Sequence, residues 1–127
     1  MEELRGWMKI MMSGEKIPLQ SITAQRVRGV LQDRGIVGGV YVFVNGEDQV
    51  IYVGRSKHLA QRLVDHKNKD TNVTKRIAKL STVDLDEASQ YLTDDVSVQF
   101  LRVNDPYDRA MLEAYVAKVH GTPLNVF

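Results

Sequence analysis

Arg62 and His66 lie four residues apart on a predicted helix, so they share one face of it. Arg55 and Lys57 precede them at a strand-to-helix junction, where helix N-terminal amides also point outward. Together these groups make a pocket rich in donors for phosphate, with a guanidinium able to bind two oxygens at once. Taken singly, Arg62 also reads as a solvated helix arginine and His66 as a helix-end histidine favourable to the dipole. Two phenols come before them. Gly39-Val40-Tyr41 and Tyr52-Val53-Gly54 enclose Val42-Phe43-Val44, the stretch Asn45-Gly46-Glu47-Asp48-Gln49, and Val50-Ile51. Asn-Gly between two β-branched runs is a strong hairpin signal. The hairpin places Tyr41 and Tyr52 on neighbouring strands, with Gly39 and Gly54 where a backbone must come close to something. Glu113 is the one carboxylate in Met111-Leu112-Glu113-Ala114-Tyr115-Val116-Ala117, at the edge of an apolar stripe. A hard divalent cation is commonly held by one or two carboxylates plus waters and phosphate oxygens, which suits this position. By spacing alone a surface glutamate is the commoner reading. Asn125, in Pro123-Leu124-Asn125, reads either as a turn residue or as a donor.

These residues must be positioned by elements that the pattern also marks. Glu2 to Met12 reads as an amphipathic helix ending at Ser13-Gly14, with Pro18 blocking continuation. Ser21 reads as the N-cap of a helix running to Gly35 along Ile22, Val27, Val30 and Leu31. Strands follow at about 39–44 and 50–54. Ser56 caps a helix with Leu59, Leu63 and Val64 inward, and Thr71 or Asn72 begins another through Val73, Ile77 and Leu80. Asp84, with Glu87 three residues on, has the form of a capping box. Val96, Val98 and Phe100 alternate with polar residues, as in a half-buried strand. Asp105-Pro106 starts a last helix, and Gly121 stops it. The order β-β-α-α-α-β-α predicts an α+β domain, a small three-stranded and mostly antiparallel sheet flanked by helices. Residues 1–35 form a helical N-terminal extension in this reading, and residues 36–127 the domain proper.

Composition narrows the function. The chain of 127 residues has no cysteine, so thiolate metal sites, cysteine nucleophiles and disulfide frameworks are excluded. No apolar run reaches the roughly 18 residues of a membrane span, and acids at Glu2 and Glu3 replace a signal peptide. A cytoplasmic location without membrane contact is the default expectation. Charge is segregated. From Gly54 to Lys79 there are eight Lys/Arg against two acids; from Leu80 onward there are three against eight. Such a division offers one positive face to a polyanion, although two solvated faces of opposite sign explain it equally well. Phosphate-loop, dinucleotide, zinc-protease and serine-hydrolase motifs are absent.

The ordered set as a whole resembles the GIY-YIG nuclease superfamily. Gly39-Val40-Tyr41, Tyr52-Val53-Gly54, Arg62 with His66, Glu113 and Asn125 follow that family's order and intervals. The isoleucines of the family's name are valines here, and Arg55 stands where many members have lysine. The resemblance implies a GIY-YIG-like catalytic domain that hydrolyses a DNA phosphodiester with one divalent metal, Mg²⁺ or Mn²⁺. Glu113 would be the metal ligand and Arg62 the clamp on the scissile phosphate. Tyr41 and Tyr52 would stand by the attacking water, one of them as general base, with His66 helping to deprotonate or orient it and Asn125 bracing the site. Gly54, Arg55, Lys57, Lys67, Lys75 and Arg76 would contact substrate. A phenol is a poor base at neutral pH unless neighbours depress its pKa, and the cations around the phosphate are expected to do so.

Two other readings compete with a nuclease: a nucleic-acid-binding module without cleavage, and a scaffold in which these residues only pack. Little chain is left for groove-reading elements, so low sequence specificity or choice of branched or damaged DNA by shape is expected, in a repair- or recombination-like role. Arg26, Arg28 and Arg34 admit either a DNA contact or a homodimer surface.

Overall fold

A computed structural model of the protein describes residues 2–22, 29, 31, 37–68 and 71–125. The helix read from Ser21 to Gly35 and Arg26, Arg28 and Arg34 fall largely or wholly outside the described residues. The elements in order are α1 (Glu2–Met12), β1 (Ile17–Pro18), a 3₁₀ turn (Leu19–Ser21), β2 (Gly39–Val44), β3 (Val50–Ser56), α2 (Leu59–Asn68), α3 (Asn72–Ser81), α4 (Leu85–Asp95), β4 (Ser97–Arg102) and α5 (Pro106–His120). Local signals explain most boundaries. The Asp84 carboxylate accepts from the Glu87 amide at 2.8 Å, and Asp105 accepts from Tyr107 and Asp108 ahead of Pro106. Gly121 closes α5 in the left-handed region at φ 59°.

The sheet has four strands rather than three, in the order β1-β4-β2-β3, with every pairing antiparallel. The added strand is only two residues long and comes from the stretch where Pro18 was read as a break. Proline is tolerated there because β1 lies at the sheet edge. Gln99, buried on β4, donates from Nε2 to the carbonyls of Met12 and Gly14 at 2.8 and 2.7 Å, which pins the end of α1 to the sheet.

Helices cover both faces. Tyr41, Phe43, Ile51 and Val98 pack with Leu59 and Leu63 of α2, Val73 and Ile77 of α3, and Ala88 and Leu92 of α4. On the opposite face, Val40, Val42, Val50 and Val53 pack with Met11 of α1 and with Leu112 and Val116 of α5. No helix among the described residues is long and apolar enough to cross a membrane.

The β2–β3 hairpin closes through the five residues Asn45 to Gln49. Asn45 Oδ1 accepts from the amides of Glu47 and Gln49, and the left-handed residue is Asp48, at φ 66°. This five-residue loop is accompanied by a bulge: Val44 pairs with Val50 but Phe43 with Tyr52. Ile51 is the extra residue, so Ile51 and Tyr52 both reach the face covered by α2 and α3. In an unbulged register Tyr52 would oppose Val42 and point to the α5 face, away from Tyr41.

The outer edge of β3 is closed by the chain's last described residues. The Leu124 amide donates to the Ile51 carbonyl at 3.1 Å. The Asn125 carboxamide bridges Val53, accepting from its amide at 2.9 Å and donating to its carbonyl at 2.8 Å. A side chain thus completes an edge strand that would otherwise offer free backbone groups. Asn125→Ala is expected to lower stability by about 1–3 kcal/mol, since it strips two part-buried backbone groups of partners. Urea unfolding checks this, and an unchanged midpoint would refute it.

Candidate functional site

Tyr41 lies on β2 directly opposite Gly54 of β3. A Cβ at Gly54 would stand 2.3 Å from both Cζ and Oη of Tyr41. The glycine of the second tripeptide is therefore the floor on which the first tripeptide's phenol lies. Gly39 has a similar reason, since a Cβ there would meet the Leu101 carbonyl oxygen at 2.3 Å. The rings of Tyr41, Phe43, Tyr52 and His66 form one cluster with centroids 4.9 to 6.1 Å apart.

His66 is not a solvated helix-end histidine. It is 1% exposed, and its Nε2 lies 2.7 Å from Tyr41 Oη. Its Nδ1 lies 3.0 Å from Thr71 Oγ1. Burial, and after it the Arg62 cation, push the imidazole down to about 3, with Asp65 opposing. His66 is therefore neutral at neutral pH and can accept a proton at one ring nitrogen only. Its linkage to folding follows. Unfolded histidine titrates near 6.5, so below that pH the unfolded chain holds a proton that the folded one lacks until about 3. Stability is full above about pH 6.5 and falls as the solution is acidified, by up to roughly 1.4 kcal/mol per pH unit. Between pH 7 and 5 the wild type is expected to lose about 2 kcal/mol more than His66→Gln. Urea melts of both proteins at the two pH values measure this; equal losses would contradict a buried neutral ring.

Tyr41 corrects an expectation. Burial first, and Tyr52 beside it, raise its phenol well above the ordinary range, and the nearby Arg62 only partly opposes them. The cations do not depress it in this state, so Tyr41 is not a ready base. For Arg62 itself, burial works against the charge, but the two phenol oxygens outweigh it and its pKa is raised. The guanidinium is a fixed cation beside both tyrosines.

Tyr52 opens outward where Tyr41 does not. It lines a cavity of about 440 Å³ together with Asn72, Lys75, Arg76, Lys79, Glu113 and Asn125. Glu113 reaches it from α5 past the β3 edge, where Arg55 meets its Oε1 from Nη1 at 3.2 Å. Its side chain is 16% exposed; burial raises its pKa, with Arg55 opposing. Arg76 brings a guanidinium whose Nε is buried without a hydrogen-bond partner. Arg76 lines the cavity with two further cations, Lys75 and Lys79, a composition that asks for an anion.

Of the residues singled out in the sequence, Tyr41, Tyr52, Arg62 and His66 form one cluster, and Tyr52 joins it to the cavity holding Glu113, Lys75, Arg76 and Asn125. Gly54 lies under Tyr41, and Arg55 holds Glu113. Arg55, Lys57, Arg62 and Lys67 are not among the residues lining the cavity; Arg62 stands behind it, beside Tyr41 and Tyr52. Asn72, Lys79 and Thr71 were missed. Asn72, Lys75, Arg76 and Lys79 fall at helical spacing on one face of α3, a pattern legible in the sequence. Thr71 was read only as a helix start.

The donor set suits a hard divalent cation. Glu113 is the one carboxylate lining the cavity, and no group of three or more His, Asp or Glu forms a metal cluster among the described residues. A small cation that keeps most of its waters needs no more from the protein.

Comparison with known proteins bears on the fold and the family. No curated protein matches the chain. A solved structure of the GIY-YIG N-terminal endonuclease domain of UvrC from Thermotoga maritima, bound to magnesium, is 24% identical at a TM-score of 0.51, covering 71% of this chain and 84% of that one. A tyrosine-to-phenylalanine point mutant of the same domain, bound to its catalytic divalent cation, is 22% identical at 0.53, covering 81% and 98%. These likenesses establish the fold. The model of the UvrC-like GIY-YIG domain matches residues 37–126, more than two thirds of the chain, and with that match the protein belongs to the UvrC-like GIY-YIG domain family.

Proposed function

We propose that the protein is a divalent-metal-dependent DNA endonuclease that hydrolyses one phosphodiester per site, with residues 36–127 as the catalytic domain and residues 1–35 as an extension. The observation that carries this is the opening of one cavity onto both an outward-facing phenol, Tyr52, and a lone carboxylate, Glu113, ringed by cations. Glu113 would hold Mg²⁺ or Mn²⁺, which when bound neutralises phosphate charge and the leaving oxygen. Arg62 clamps the scissile phosphate, because a fixed guanidinium binds two of its oxygens and stabilises the charge that develops. Tyr52, not Tyr41, is the candidate general base, since it alone of the two reaches the cavity. Asn125 holds β3, and with it Tyr52, in place.

Lys75, Arg76 and Lys79 bind backbone phosphates beside the cut, which favours selection by shape over base reading. Lys75→Gln/Lys79→Gln is expected to raise KM and to flatten its log–log salt dependence by about one unit per cation removed, with kcat little changed. Cleavage of a fluorescent duplex across salt concentrations measures this. An unchanged slope would place the DNA elsewhere.

One observation favours a binding module without cleavage, namely that Arg55 occupies an oxygen of Glu113. Incubation with supercoiled, nicked and branched DNA under Mg²⁺ or Mn²⁺ separates the readings. Nicking that EDTA abolishes supports the nuclease; salt-sensitive binding without any cut product in either metal removes it.

A further inference from the structure

The geometry points to Thr71 as a positioning residue for the proposed hydrolysis, the solvent-side end of a proton chain running Tyr41–His66–Thr71. This rests on the nuclease reading above. Tyr41 Oη and His66 Nε2 are 2.7 Å apart, His66 Nδ1 and Thr71 Oγ1 3.0 Å. The first two residues are buried, whereas Thr71 is partly exposed. Thr71 is the N-cap of α3, a position where a threonine hydroxyl ordinarily accepts from the helix's own amides, yet its side chain makes no capping bond. It is turned to the imidazole instead.

Hydrogen-bond direction is set by acidity. A phenol is the stronger donor than an aliphatic alcohol, so Tyr41 donates to Nε2 and the Nδ1–H donates to Thr71. In this arrangement the ring can pass a proton without becoming charged. The Tyr41 O–H breaks as an N–H forms at Nε2; the Nδ1–H breaks as an O–H forms at Thr71; and the original Thr71 proton passes to water. As the Tyr41 proton leaves, Tyr41 takes the proton of Tyr52 beside it, so no Tyr41 phenolate has to persist. The products are a Tyr52 phenolate facing the cavity beside Arg62, a hydrated proton and a neutral His66 in its other tautomer. An imidazolium would instead face Arg62 on its own helix, with Asp65 the one carboxylate among the described residues to offset it and Tyr41, Phe43 and Tyr52 on the strands. Thr71 removes the need for that cation.

The test compares Thr71→Val with Thr71→Ser in single-turnover cleavage and in the ¹⁵N spectrum of the His66 ring. Thr71→Val is expected to slow cleavage about 100-fold at unchanged KM, while Thr71→Ser stays within about threefold of wild type. The wild-type ring carries its proton on Nδ1, and the valine variant moves it toward Nε2. Wild-type rate and tautomer in Thr71→Val would overturn the inference, as would a serine variant as slow as the valine one, which would make the role packing. A wild type that cuts nothing removes the nuclease reading alone; the tautomer then still decides whether Thr71 orients the ring, and an unmoved proton in Thr71→Val rejects it.

Discussion

Glu113→Gln is expected to reduce metal-dependent nicking by at least about 1,000-fold while leaving DNA binding at low salt intact. Glu113 is the one carboxylate lining the cavity, so a neutral amide removes the proposed metal ligand's charge without changing shape. Transition-state charge stabilisation of this kind is worth about 100- to 1,000-fold per lost donor, and a lost metal more than a lost donor. The substitution also frees Arg55 from its ion pair, which adds a cation to the phosphate site and holds or strengthens binding. Quantifying relaxation of supercoiled plasmid beside a filter-binding titration reads both effects. Nicking by Glu113→Gln within tenfold of wild type would mean that the metal is held elsewhere. Because burial raises the Glu113 pKa, its carboxylate protonates at a higher pH than an exposed glutamate, and metal dependence should weaken from the acid side first.

Gly54→Ala should cost a large part of this protein's stability. The new Cβ would lie 2.3 Å from Tyr41 Cζ and Oη and 2.8 Å from Cε1. Tyr41 cannot swing away, because it is wholly buried and tied to His66. Overpacking of this severity costs about 3 kcal/mol or more, at the top of the usual range. At roughly 3–6 °C per kcal/mol for a chain of this size, Tm should drop by about 10 °C or more. The displaced ring also breaks the Tyr41–His66 bond, so residual folded protein should cleave poorly. Thermal melting with a cleavage assay well below Tm tests the two effects separately. A Tm within 2 °C of wild type would show that the ring has room to shift.

The fold was legible where local rules dominate. Helix starts at Asp84 and Asp105, the stop at Gly121 and the alternation of Val96, Val98 and Phe100 each reflect chemistry within a few residues, and each is found as read. The short strand at Ile17–Pro18 was not, because its only reason to be extended is β4, some 80 residues away. The hairpin signalled by Asn45-Gly46 is found between the strands as read, but its loop conformation, in which the Asn45 side chain and Asp48 share the hydrogen bonding and conformational load, and the bulge behind it were not legible.

The site divides along the same line. Residue types, their order and their intervals were enough to single out Tyr41, Tyr52, Arg62, His66, Glu113 and Asn125, because those intervals carry a family resemblance and because charge and hydrogen-bonding capacity belong to the residue itself. Environment does not. That His66 is neutral and buried, that Tyr41 is pushed up rather than down, and that Tyr52 alone faces the cavity are consequences of burial and of who stands next to whom. One extra residue in β3 decides the last of these, since strand parity sends a side chain to one face or the other and only pairing across the sheet can set that parity.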